Sequence, residues 1–495
     1  MHSLAKLDHR YIWHPFTQMS DWLRREPIVI TRGRGAVLFD ARGKSYLDAN
    51  SSIWTNLHGH SHPRINAAIR RQLNRIAHSS ALGLANEPAS LLAEQLVRAA
   101  RGHRTSRSSH SIQRPVLNKV FFSDDGSTAM EVALKLAYEH TRRTRPGSKP
   151  RFLSLAGAYH GDTIGAVSLG HIDRFHKAYS GLLFNTDQHP APYCYRCPFN
   201  RAKPERADAR EYRKCDWECV GQLERKFREQ KRKGNPYAAF VFEPLMQGAA
   251  GMIPQPSGWL RQAAGIARGH GALLIADEVM TGFGRTGAGM QAGESPKLGV
   301  TARSSKPRIF ACQHEQVTPD FMALAKGLTG GYLPMAATLT HESVFDAFLG
   351  EYEEFKTFFH GHSFTGNQLG ASAALMSIQL LHESASIRSR LELELALRKE
   401  LQTLWSLAQV GDIRQVGLVA AVELVKNWRT REPFKISQRA GLKVCEEMAR
   451  RGVLTRPVGD AIVIMPPYCT SLRQLRHMIT ALSEGIHAAL GKSAT

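Results

Sequence analysis

Four short stretches of this sequence carry residues whose types and order could assemble one reaction centre. Val120-Phe-Phe-Ser-Asp-Asp-Gly126-Ser127-Thr128 runs from an apolar strand through a small-residue turn into a helical stretch. That arrangement makes an anion site: Gly126 lets the backbone approach a phosphate, Ser127 and Thr128 offer N–H and hydroxyl donors, and the helix dipole adds favourable potential. A serine ahead of a helix is also an everyday N-cap, so the turn alone decides nothing. Leu155-Ala-Gly157-Ala-Tyr159-His160-Gly161-Asp162 sets an aromatic residue, a histidine and a flexible glycine past a second strand end. Tyr159 could lie there over a planar ring, and a packed tyrosine beside an idle loop histidine reads equally well. Ala272-Leu-Leu-Ile-Ala-Asp277-Glu278-Val279 ends a third apolar run in a carboxylate. Such a group keeps a pyridinium nitrogen protonated, caps a helix or joins a buried ion pair. Asp320-Phe-Met-Ala-Leu-Ala-Lys326-Gly327-Leu-Thr-Gly330-Gly331 places a lysine between an apolar run and a glycine-rich turn. Most lysines are solvated surface groups, but one held inward has an accessible neutral amine able to form an imine.

These stretches need a scaffold that brings strand ends together. From about residue 118 to 340, short apolar runs alternate with helical stretches, the signature of a parallel sheet covered by helices. Strands are expected at residues 119–123, 151–155, 238–243 and 272–277, and in such sheets ligands bind beyond the carboxyl ends. Beyond Glu342, helices are expected over 370–381 and 387–407 and short strands near 416–424 and 461–465, together a smaller α+β lobe. Residues 36–40 and 45–48 around Gly43 read as a hairpin that joins it. The expected division is a large domain over 61–345 and a small domain built from 1–60 and 346–495.

A length of 495 residues argues for two lobes, and 43% apolar with 22% charged residues is the composition of an ordinary globular protein. The longest apolar runs, such as 238–242 and 272–276, fall far short of the roughly 20 residues that cross a bilayer. Residues 1–10 lack the apolar core of a secretory signal, so a cytoplasmic location without membrane attachment is expected. The 65 Lys plus Arg against 43 Asp plus Glu give a net charge of +22, fitting either nucleic-acid binding or a basic surface on an enzyme of anionic ligands. Much of the excess lies in 101–114, 142–151, 225–233 and 297–308, which read as loops or exposed helix faces. No RNA-recognition signature, zinc-finger spacing or basic zipper accompanies it, so no nucleic-acid partner is expected. Of seven cysteines, Cys194-x-x-Cys197 and Cys215-x-x-x-Cys219 match the ligand number of a structural zinc. In a cytosolic chain, free thiols on a surface excursion are the favoured reading and no metal is expected.

Phosphate turn, aromatic, carboxylate and lysine, in that order and at one end of one sheet, resemble the class III, fold-type I aminotransferases, which depend on pyridoxal 5'-phosphate. Asp277-Glu-Val-Met-Thr-Gly-Phe-Gly-Arg-Thr-Gly287 and Lys326-Gly-Leu-Thr-Gly-Gly331 are highly specific to that class, and the likeness covers nearly the whole chain. The resemblance implies an α/β fold with a mostly parallel sheet in the large domain, a smaller α+β domain from both chain ends, and a homodimer. Trp13-His-Pro-Phe-Thr-Gln-Met19, Ser51-Ser-Ile-Trp54, Asn56-Leu-His-Gly-His-Ser-His-Pro63, His360-Gly-His-Ser-Phe-Thr-Gly-Asn367, Thr455-Arg456-Pro-Val-Gly459 and Met465-Pro-Pro-Tyr468 are similar to the biotin-pathway branch of the class. That branch converts 8-amino-7-oxononanoate to 7,8-diaminononanoate, usually with S-adenosylmethionine as amino donor.

Carried over position by position, the resemblance implies Gly126 and Ser127 at the phosphate, Tyr159 over the ring, Asp277 at the pyridine nitrogen and Lys326 as the Schiff-base lysine. His362 and Ser363 are implied to reach the phosphate of the neighbouring subunit's cofactor. Phe16, Trp54, Tyr159, Lys326, Gly361 and Arg456 are implied to face the small-molecule substrates, with Arg456 as a guanidinium fork for a carboxylate. Two departures bear on the donor: many members have tyrosine where Phe16 stands, and paired tryptophans where this chain has Ile53-Trp54. A branch with similar features is associated with lysine as donor. Lysine therefore stands as an alternative, as does another class III ω-aminotransferase and, more remotely, a basic nucleic-acid-binding protein.

Overall fold

Strands that are apolar on both faces have to be covered on both faces, and that requirement organises the molecule. The computed structural model describes residues 1–101, 116–287 and 308–491. Seven strands form the central sheet: β1 Leu117–Ser123, β2 Arg151–Leu155, β3 Asp187–His189, β4 Tyr237–Phe242, β5 Leu273–Asp277, β6 Phe321–Leu324 and β7 Ala336–His341. Their spatial order is β1-β7-β6-β5-β4-β2-β3. β6, β5, β4, β2 and β3 are mutually parallel, and every residue of β4 is buried. Helix α1, Gly126–Thr144, lays Ala129, Met130, Val132, Ala133 and Ala137 on one face. Helix Trp259–Gly269 lays Leu260, Ala263, Ala264 and Ala267 against Phe240, Phe242 and Leu274 on the other.

The sheet departs from a wholly parallel one at β7, which runs antiparallel to both β6 and β1. The chain between Leu324 and Ala336 is too short for a crossover helix, which takes a dozen or more residues with its turns, and it folds instead into a single 3-10 turn at Lys326–Thr329. That short reversal holds Lys326 at the carboxyl end of β6.

The two ends of the chain meet. Strands Ile30–Arg34, Val37–Asp40 and Ser45–Asp48 form an antiparallel ribbon, and Ser45–Asp48 pairs in parallel with Val453–Leu454. A second small sheet contains Val410–Val416, Val419–Leu424, Ala461–Ile464 and Pro457–Val458. The strand expected near 416–424 is the second half of a hairpin: Gly417 turns at φ 60°, and a Cβ there would lie 2.1 Å from the backbone nitrogen of Gly287. Helix Gln368–His382 packs on helices Pro63–Leu73 and Glu87–Ala100, and helix Ser384–Gln402 on helix Leu472–Leu490.

Of the basic stretches, 142–151 closes α1 and the loop after it, and 225–233 lies on helix Glu218–Arg232, which buries Leu223, Phe227 and Gln230 and turns its charges outward. Nearly all of 101–114 and 297–308 lies outside the described residues. Among the described residues no helix is long and apolar enough to cross a membrane, all seven cysteines are free, and no group of His, Cys, Asp or Glu is arranged to hold a metal ion.

Arg285 clasps segments from both ends of the chain. It is 1% exposed, yet no carboxylate of the described residues touches it: Nη1 donates to the Pro466 carbonyl and Nη2 to the Asn56 carbonyl, both at 2.9 Å, with the guanidinium 5.1 Å from the Tyr468 ring centroid. Met465 N–H to Ala49 O at 2.8 Å and Tyr468 N–H to Leu57 O at 2.7 Å join the same segments. Arg285→Met keeps the side chain's length but leaves two buried carbonyls without a donor, a loss of about 3 kcal/mol, readable as a lower midpoint of urea unfolding.

Candidate active site

The sequence-selected groups gather at the carboxyl ends of β1, β2, β5 and β6. Asp125 caps α1, accepting the Thr128 N–H at 2.9 Å. Helix geometry leaves the N–H groups of Gly126 and Ser127 without an acceptor inside the helix, aligned with its dipole. A Cβ on Gly126 would stand 2.8 Å from Val279 Cγ1, so the turn reaches the end of β5 only because no side chain intervenes. Ser127 Oγ accepts the Asp162 N–H at 2.7 Å, which leaves its own O–H to donate outward. Gly161, at φ 124°, packs so closely that its Cβ would fall 1.8 Å from Ser127 Oγ. This is a cradle that side chains would fill, and its donors suit a phosphate.

Asp277, 6% exposed, ends β5 with both oxygens engaged. Oδ2 lies 2.8 Å from His160 Nδ1 and Oδ1 accepts the Val279 N–H at 3.0 Å. Burial disfavours a charged His160, but the hydrogen bond to Asp277 and its charge outweigh that and raise the imidazole pKa. Beside it, burial and the Asp162 hydrogen bond raise the Tyr159 pKa and keep the phenol protonated; its O–H donates to Asp162 Oδ2 at 2.7 Å, fixing the ring.

Lys326 opens into the same cleft at φ 42°, a strained value for a non-glycine residue. Burial lowers its pKa, against the opposing charges of Asp277 and Glu243, so a neutral amine is closer to hand than on a surface lysine. The ring of Trp54 covers it, with Nζ 4.7 Å from the centroid. Phe16 reaches the rim, its ring centroid 6.3 Å from that of Tyr159, and exposed Arg456 donates Nη2 to the Phe16 carbonyl at 3.0 Å.

Gly126, Ser127, Tyr159, Asp277, Lys326 and Trp54 thus share one cleft, with Phe16 and Arg456 at its edge. Of the remaining three, His362 lies against the turn before α1, Nδ1 2.7 Å from Asp124 Oδ2, the Ser363 carbonyl faces His78 Nε2 at 2.8 Å, and among the described residues nothing comes within 4 Å of where a Gly361 Cβ would sit.

Two participants escaped the sequence reading. His160 stood there only as a loop histidine. Glu243, 6% exposed, receives the Tyr159 N–H at 3.3 Å and the Gly248 N–H at 2.7 Å, holding the aromatic wall and the loop beneath Trp54. Burial pushes its carboxyl well up. The signal was available, since Glu243, like Asp277, is a carboxylate at the carboxyl end of a buried strand.

The residues fit pyridoxal phosphate: Gly126 and Ser127 for the phosphate, Asp277 for the pyridine nitrogen, Tyr159 as the wall of the ring and Lys326 for the aldehyde carbon. Gly161→Ala forces a side chain into Ser127 Oγ from a backbone that disfavours one, and we expect a rise of about tenfold in the cofactor's dissociation constant, near 1.4 kcal/mol, in equilibrium dialysis.

The profile of the class III aminotransferases matches residues 19–305 and 298–486. The adenosylmethionine-8-amino-7-oxononanoate aminotransferase of Geobacter sulfurreducens is 45% identical over 490 residues, 99% of this chain and 98% of that one. The protein of the same name from Nitratidesulfovibrio vulgaris is 44% identical, covering 98% and 82%. The crystal structure of the Methanocaldococcus jannaschii protein of that name superposes with a TM-score of 0.84 at 35% identity, covering 98% of each chain. The ω-transaminase of Pseudomonas jessenii in complex with PMP reaches 0.84 at 25% identity over 99% of each. With a phosphate cradle, a strand-end carboxylate and an inward lysine in one cleft, the chain belongs to the class III aminotransferases, a pyridoxal-phosphate-dependent family.

Proposed function

We propose that this chain transfers the α-amino group of S-adenosylmethionine to the ketone of 8-amino-7-oxononanoate, giving 7,8-diaminononanoate for biotin biosynthesis. The observation that carries the reading is full-length likeness, at 45% identity, to an aminotransferase whose name states that substrate and donor. It is supported by the Trp54, Tyr159, Phe16 and Arg456 walls of the cleft.

When bound, pyridoxal phosphate supplies a conjugated electron sink for bonds at the amine-bearing carbon. The protein supplies the rest. Gly126, Ser127 and the α1 N-terminus would hold the phosphate; Asp277, oriented by His160, would keep the ring nitrogen protonated. Lys326 Nζ would hold the cofactor's aldehyde carbon and, once free, would move a proton from the donor's Cα, a role its lowered pKa suits. Overall the donor would become its 2-oxo acid and the ketone the product amine, the water taken up in the first half being released in the second, with Lys326 Nζ returning the proton to the product's carbon. Arg456 has donors beyond the one given to Phe16, enough to meet a carboxylate in a fork.

The reading includes a homodimer, in which His362 and Ser363 serve the partner's phosphate and Gly361 faces the substrates. Exposed Tyr352, Phe355, Phe359 and Phe364, 91%, 67%, 69% and 58% accessible, supply an apolar face of the kind that association covers. Seven free cysteines suit the reducing cytoplasm.

Purified protein given 8-amino-7-oxononanoate with each amine separately should form 7,8-diaminononanoate from S-adenosylmethionine. Product from lysine alone would reassign the donor, a point raised by Phe16 and by Ile53, 45% exposed where related chains carry a second tryptophan. Absence of product with either amine would reject the substrate. Lys326→Ala should lower turnover about 10³-fold while the chain remains folded.

A further inference from the structure

Residues Ser51–Trp54 coil with the wrong hand. Their φ values are 46°, 48°, 63° and 69°, with ψ 55° and 52° at Ser52 and Ile53. The Trp54 N–H bonds the Asn50 carbonyl and the Thr55 N–H the Ser51 carbonyl, each at 2.9 Å, so the segment is one turn of left-handed α-helix. Each L-residue in it crowds its Cβ against the following carbonyl oxygen. None is glycine or asparagine, the residues that tolerate this conformation, and Ile53 is β-branched, for which positive φ is an outlier. Such backbone persists only where its surroundings over-determine it, and it concentrates at functional sites.

The surroundings do so here with four fixed hydrogen bonds. Asp48, 3% exposed, accepts the Ser52 N–H on Oδ1 at 3.0 Å and the Ser52 hydroxyl on Oδ2 at 2.8 Å. Its Oδ2 also lies 2.9 Å from His60 Nε2. Ser51 Oγ donates to the Met465 carbonyl at 2.7 Å, binding the turn to the C-terminal part of the chain. Asn50, 6% exposed, accepts the indole N–H of Trp54 on Oδ1 at 2.8 Å. Below the indole there is room for Gly248 only, since a Cβ there would stand 3.2 Å from Trp54 Cζ3. The product of all this strain is one placement: the face of Trp54 toward Lys326 Nζ.

We propose that Asn50 and Asp48 are positioning residues that lock this left-handed turn and hold the Trp54 ring over Lys326 Nζ, so that the ring favours positive charge on that nitrogen. An aromatic face stabilises a cation in front of it through its quadrupole. A right-handed or relaxed turn would swing the indole off the lysine and open the wall that the donor meets. The inference rests on Lys326 being the cofactor's lysine, as the proposed function has it.

The test is a pair of double-mutant cycles on holoenzyme, with the pH midpoint of the bound cofactor's visible absorption as the main readout. Asn50→Ala and Asp48→Ala should each lower that midpoint by about half a pH unit to one unit. They should also raise KM for S-adenosylmethionine about tenfold, with kcat within about threefold of the parent. In a Trp54→Ala background both substitutions should leave the midpoint where Trp54→Ala alone puts it, because both act through the ring. Additive shifts, or an unmoved midpoint in the single variants, would overturn the proposal. Should Asn50→Ala not fold, Asn50→Ser, too short to reach the indole, enters the same cycle. A Lys326→Ala protein that keeps the visible band would instead overturn the assignment of the lysine, so the two failures are told apart.

Discussion

A carboxylate placed in the protein interior has to be paired, because an isolated charge there loses several kcal/mol of hydration. Asp277 meets that demand at the end of β5 through His160 and the Val279 N–H, and the geometry of the pairing propagates outward. To bring His160 to Asp277, the loop after β2 must fold over the sheet's carboxyl edge. Folding there seats Gly161 on Ser127 and the Asp162 N–H on Ser127 Oγ, which joins the loop to the first turn of α1. The same loop offers its Tyr159 N–H to Glu243, whose other oxygen holds Gly248 beneath Trp54. One buried Asp277–His160 hydrogen bond therefore ties the phosphate cradle, the aromatic wall and the floor of the tryptophan into a single arrangement around Lys326.

How far this could be read from the chain differs from residue to residue. The strands at 119–123, 151–155, 238–243 and 272–277 were legible because burial on both faces writes continuous apolar runs, and the observed strands differ by two residues at most. β7 was not foreseen, and neither was its direction, which follows from a loop too short for a crossover rather than from any residue pattern. Asp277 and Lys326 were ambiguous singly, as an N-cap and a surface amine, and became legible only in order with Gly126 and Tyr159. Glu243 carried the same signal as Asp277 and was passed over because no family motif surrounded it. The left-handed turn could not have been read at all: Ser-Ser-Ile-Trp contains none of the glycine or asparagine that announces positive φ, and its conformation is imposed by Asp48, Asn50 and Met465 from outside.

The cleft also explains why both ends of the chain return to the large sheet. Trp54 and Phe16 come from the N-terminal part, Arg456 and the Met465 carbonyl from the C-terminal part, and Arg285 grips both parts through backbone oxygens. A wall assembled from such distant segments can change its lining at Phe16 or Ile53 without disturbing Asp277, His160 or Lys326. Change of amine partner on a constant reaction core is the behaviour that this division permits.

The account stands on the identity of the lysine that carries the cofactor. Borohydride reduction of the holoprotein followed by peptide mapping fixes a pyridoxyl group irreversibly to whichever amine holds it. The account predicts the modification on the peptide containing Lys326 and on no other; a pyridoxyl group on a different lysine, or none in protein that binds pyridoxal phosphate, would contradict it.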